Sequence, residues 1–147
     1  MEIRLTTEQY EVLIKLIYLG QVVIDTARES ERDFEEYDAL ASYIYSYAPH
    51  FGFKRLVDFD EAEGVYYPSE ALEKMMFEIF STFAATTFFN QLASELADRD
   101  LLREYGQERI NQMNLKEIEE KRNVLIDKYL REFAENGVQN LIIDRIS

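Results

Sequence analysis

The sequence predicts a mostly α fold, a bundle of four to five helices around a buried central helix at residues 69–97. A small β-hairpin at about 55–67 and short β-favouring chain ends that could pair complete the picture. Three observations carry this prediction. Apolar residues recur at three- and four-residue steps over most of the chain, the period of an amphipathic helix. Gly52, Gly106 and Gly137 each follow such a stretch, where a residue with left-handed backbone closes a helix. Finally, the sixteen residues 79–94 carry no charge in a chain of formal net charge −13.

The elements follow in order. The first helix is expected to start at Thr6 or Thr7, either of which can cap it, and to run to about Ala27. Tyr10, Leu13, Ile14, Ile17, Gln21 and Ile24 form one face, and Val12, Leu16, Leu19 and Val23 form a second apolar row. Two such rows predict contact on more than one side, and Gly20 between them predicts a close helix crossing. Ser30 with Asp33 offers a cap for a second helix, whose inner face is Phe34, Tyr37, Ala41, Ile44 and Ala48. Leu40, Tyr43 and Tyr47 broaden that face, and Pro49 ends it, because the residue before a proline avoids helical geometry.

Residues 53–68 break the helical period. "RLVDF" and "VYY" are β-favouring runs on either side of an acidic turn containing Gly64, the pattern of a hairpin. Ser69 is placed to cap the long third helix. A shorter helical piece ends at "REYG". Asn114 with Glu117 then starts a last helix, with Leu115, Ile118, Leu125, Tyr129 and Phe133 inside. The terminal "EIRL" and "NLIIDRI" favour strand.

A length of 147 residues predicts one globular domain over 1–147, large enough to fold without disulfides. With no Cys, thiolate metal sites and cysteine nucleophiles are excluded. Glu2, Glu8, Glu11 and Lys15 stand where an export signal would be basic and then apolar, so a cytoplasmic location is expected. The negative balance argues against direct nucleic-acid binding and against anionic membranes, both of which need clustered Lys and Arg.

The uncharged run is too short to span a bilayer, which takes about 20 apolar residues. Seven of its sixteen residues are Ser, Thr, Asn or Gln. Its phenylalanines point several ways around a helix, and a helix apolar nearly all round is expected to be buried nearly all round. Phe80, Phe83 and Phe88 are therefore expected in the core, with an apolar ligand pocket as the alternative.

Sites of chemistry are sparse. The glycines are scattered singly, so no phosphate-binding Gly-rich loop exists. The lone His50 lacks a serine in a nucleophile context and reads as a residue packing or capping at a helix end. The E-x-x-E and E-x-x-D pairs that hold magnesium in helical nucleotide pyrophosphohydrolases occur twice by spacing. They are Glu8 and Glu11 with Glu35 and Asp38, and Glu70 and Glu73 with Glu95 and Asp98. The predicted helices hold the pairs roughly 16 Å and 33 Å apart, too far to share one ion, so no family resemblance follows. Gly64 and Glu70 match two positions of a calcium loop, but Phe59 falls where its first ligand should be.

No cofactor is expected. The densest acidic segment, residues 58–73, carries six carboxylates and no Lys or Arg. Within it Asp58, Asp60, Glu61, Glu63, Tyr66 and Tyr67 form the candidate interaction surface. Tyr66 and Tyr67 should point to opposite faces of a strand, one packed and one displayed beside the acids. The reading is a non-enzymatic protein-interaction or regulatory module that takes a protein partner, a basic one by charge, or a second copy as a homodimer. The alternatives are a divalent-metal-dependent hydrolase of phosphate compounds and a polyanion mimic that inhibits a basic protein.

Overall fold

The computed structural model describes residues 2–30 and 33–142. Four helices and one antiparallel hairpin make up its regular structure, so the mostly helical class with a small hairpin holds. The chain divides into two compact units, Met1–Ser81 and Thr82–Ser147.

In the first unit, α1 (Thr7–Thr26) begins on a complete capping box. Thr6 Oγ1 accepts from the Gln9 backbone N–H, and Gln9 Oε1 accepts from that of Thr6. Two otherwise orphaned donors are satisfied this way. The helix α2 (Glu35–Tyr45) starts after Phe34, whose backbone is left-handed at φ 66°. The expected cap pair forms a turn before the helix instead: the Asp33 carboxylate accepts from the Ser30 hydroxyl and from the Ser30 and Glu29 backbone N–H groups. Those hydrogen bonds hold the Asp33 carboxyl below its ordinary range.

A 3-10 turn at Lys54–Leu56 leads into β1 (Val57–Asp60), which pairs with β2 (Val65–Pro68). The core of this unit gathers Tyr10 and Ile14 of α1, Ala41 and Tyr45 of α2, Ala48, Leu56, Val57, and Leu72 and Met76 of α3 (Glu70–Gln112). Tyr10 stacks on Phe51 at 4.1 Å and donates to the Ile44 carbonyl. Tyr45 donates to Gln21 Oε1, so both buried phenols are satisfied. Burial drives the Tyr10 phenol up to about 12 and raises that of Tyr45 as well.

In the second unit, α3 packs on α4 (Leu115–Asn136) through Ala93, Leu96 and Phe133, with Phe89, Ile126, Tyr129 and Leu130 around them. Arg122 of α4 bridges Asp98, at 2.5 and 3.0 Å, and the Ser94 hydroxyl. Tyr129 donates to Asp100, which also pairs with Arg99 at 2.8 Å. Asn114 caps α4 as expected, accepting from the Glu117 N–H. Gly106 interrupts α3 at φ 73°, a left-handed geometry that glycine takes without steric cost.

Several expectations fail. The middle of α3 is not a buried central helix: Phe77, Phe83 and Phe88 are 68%, 56% and 53% exposed. The buried residues of α3 are Leu72 and Met76 in one core and Ala93 to Leu101 beyond the middle, and residues 77–88 between them enter neither core. The second row of α1 is likewise open at Val12, Leu16 and Val23, and a Cβ added at Gly20 would meet nothing within 4 Å, so no close crossing needs the glycine. Leu40, Tyr43, Tyr47 and Leu115 are exposed. Ser69 does not cap α3 with its side chain, because its hydroxyl donates to the Arg55 carbonyl and ties the helix start to the 3-10 turn. Residues 2–5 form no strand, and most of the other proposed terminal strand lies outside the described residues.

Candidate functional site

The hairpin register sorts the candidate residues. Asp58 faces Tyr67 and Asp60 faces Val65 across the strands, so these four share one face. Phe59 and Tyr66 share the other, their rings 4.7 Å apart. Tyr66 is half-buried and packs against the first core, whereas Tyr67 is exposed beside Asp58.

The turn is built by one of its acids. Asp60 Oδ1 accepts from the Ala62 and Glu63 backbone N–H groups at 2.8 and 3.1 Å, and the Gly64 N–H reaches the Asp60 carbonyl. Gly64 at φ 68° lets the chain reverse there. Asp60 is thus largely committed to the turn, while the carboxylates of Asp58, Glu61 and Glu63 stand exposed with no hydrogen bond or ion pair holding them among the described residues. Glu61 sits in the turn itself, and Glu70 is paired with Lys74 at 2.6 Å.

Beside the hairpin, α2 lies along β2 and opens a cleft of about 560 Å³. Glu63, Val65, Tyr66 and Tyr67 line one side, and Glu35, Asp38, Ala39 and Ser42 of α2 line the other, with Gln21 of α1. Ser42 Oγ accepts from the Tyr66 N–H at 2.8 Å and fastens the strand to the helix. Asp38 is braced by Arg28 at 3.0 Å, which leaves Glu35 and Glu63 as the free carboxylates of the cleft. The structure therefore brings Glu63, Tyr66 and Tyr67 together with two acids that were singled out only for their metal-like spacing. Their common signal is a polar stripe at Glu35, Asp38 and Ser42, steps of three and four on one face of α2.

The cleft can receive a cationic, amphipathic side chain. A Lys or Arg head would meet Glu35 and Glu63, and its methylene stem would lie on the Tyr67 ring. Elsewhere, carboxylates of the metal-like spacings are drawn into ion pairs, Glu11 with Lys15 and Asp98 with Arg122. Among the described residues no three ligating side chains gather around one point. His50 is exposed and lies edge-on to Phe51, its ring 5.8 Å away. No helix among the described residues is long and apolar enough to cross a membrane. No family model, no curated protein and no solved structure matches this chain.

Proposed function

We propose that the protein is a non-enzymatic, cytoplasmic interaction or regulatory module whose acidic hairpin cleft takes a basic segment of a partner protein. The observation that supports this most is the pairing of unneutralised carboxylates with a displayed aromatic ring: Glu35 and Glu63 across a cleft edged by Tyr67. Exposed charges of this kind contribute chiefly to encounter rate and selectivity, while the ring supplies contact area.

Calorimetric titration with a short Lys- and Arg-containing peptide tests the reading. Binding should weaken on raising salt, because exposed pairs are screened over about 8–10 Å. The Glu63→Gln, Tyr67→Ala double variant should bind roughly tenfold more weakly, the loss of one charge pair and one cation–π contact. Binding that survives both changes would contradict the proposal. Saturable micromolar heat with calcium alone, abolished by Glu70→Gln, would mark the segment as a cation loop instead.

A further inference from the structure

A second cleft, of about 490 Å³, opens in the first unit between α1 and the first turns of α3. Tyr18 of α1 lines one side, and Glu70, Glu73, Lys74, Phe77 and Phe80 of α3 line the other. Every one of these residues falls within Met1–Ser81, and none of them lines the hairpin cleft. Steps of three, four and three bring Glu70, Glu73, Phe77 and Phe80 onto one face of the helix. Leu72 and Met76 beside that face are buried in the first core, and Tyr18 packs against the same core, so both walls are anchored.

Two properties of the lining decide what it can hold. The first is charge. Lys74 is paired with Glu70 at 2.6 Å, whereas no ion pair holds the Glu73 carboxylate among the described residues, which leaves one negative charge over. Burial, and after it the charge of Glu73, raise the Tyr18 phenol above its ordinary value, so that carboxylate lies close to the ring. The second property is the predominance of aromatic surface, with Phe77 68% exposed at the mouth. Ring faces attract a cation, but they are poor replacements for the hydrogen bonds that an ammonium or guanidinium N–H gives up on leaving water. A fully alkylated ammonium has no N–H to satisfy, and its methyl groups gain by leaving water for the rings.

We propose that this cleft binds a quaternary ammonium group, with Tyr18, Phe77 and Phe80 around the methyl groups and the Glu73 carboxylate beside the charge. A free choline-like molecule and a trimethylated lysine on a peptide present the same group. The site stands independently of the hairpin cleft.

Proton NMR titration of the full chain with choline, and separately with a short trimethyllysine peptide, tests this. The methyl signal should move upfield, as protons over aromatic faces do, and saturate with a dissociation constant on the order of 1 mM. Saturation by either ligand supports the site, and the tighter of the two names its source. The neutral analogue of choline, with carbon in place of the nitrogen, should bind roughly tenfold more weakly because it lacks the cation–π and charge attraction. Phe77→Ala and Glu73→Gln alter exposed side chains, so circular dichroism should show both variants folded, and each should weaken choline binding roughly five- to tenfold. Tyr67→Ala, in the hairpin cleft, should leave it unchanged. No saturation by either ligand, equal binding of the neutral analogue, an affinity unaltered by Phe77→Ala or Glu73→Gln, or a loss on Tyr67→Ala would each overturn the proposal.

Discussion

At the scale of single residues, composition says which side chains want to leave water but not where they find cover. Phe83 and Leu72 illustrate the difference on one helix. Both are apolar and both sit in helical periodicity, yet Leu72 is fully buried and Phe83 is largely exposed. Leu72→Ala should therefore cost about 2–5 kcal/mol through lost transfer energy and a cavity. Phe83→Ala should cost below about 1 kcal/mol, as a surface change does. Denaturant titration of the two variants compares them directly, and equal losses would mean that the middle of α3 is covered after all. Burial has a second signature in the tyrosines. Tyr10 ionises in the unfolded chain near its ordinary value of 10.0 but in the folded chain only at about 12. A group raised on folding stabilises fully below its unfolded value and loses that contribution as pH climbs to the folded one. Stability should thus fall between pH 10 and about 12. Tyr10→Phe should flatten that fall, which alkaline denaturation monitored by circular dichroism can read; a variant with the wild-type slope would contradict it.

At the scale of elements, local chemistry was legible where it is settled within a few residues. Thr6, one of the two candidate caps, caps α1, Asn114 caps α4 through the Glu117 N–H as the spacing predicts, and Gly106 and Gly137 take the left-handed backbone expected of them. The hairpin was legible for the same reason, since β-favouring runs and a Gly-containing turn specify it locally. Ser69 was misread because its hydroxyl is claimed by the Arg55 carbonyl, fourteen residues away in the chain. Lys121 is likewise engaged at a distance in the chain, donating to the Tyr105 hydroxyl with its ammonium 4.8 Å from that ring's centre. Asn114→Ala should cost about 0.5–2 kcal/mol, the value of a cap. Thermal unfolding of that variant should show the loss, and Asn114→Asp, which keeps the accepting oxygen, should restore it.

At the scale of the whole molecule, the sequence left half of the cleft to be found. The acidic half of the cleft could be read from residues 58–73, because six carboxylates without a cation cannot neutralise themselves. The other half could not, since Glu35 and Asp38 share a cleft with Glu63 only when α2 lies along β2, a contact between segments far apart in sequence. The exposure of the middle of α3 was hidden by the inference that an apolar stretch must be covered by the chain's own helices. The cleft is the central claim, and amide chemical-shift mapping during titration with a short basic peptide tests it most directly. The account predicts shifts concentrated at Ser42, Glu63, Tyr66 and Tyr67, with α4 little changed. Shifts of equal size at Glu117, Glu119 and Glu120 of α4 would show that the peptide follows net charge alone, and would contradict a specific site at the hairpin.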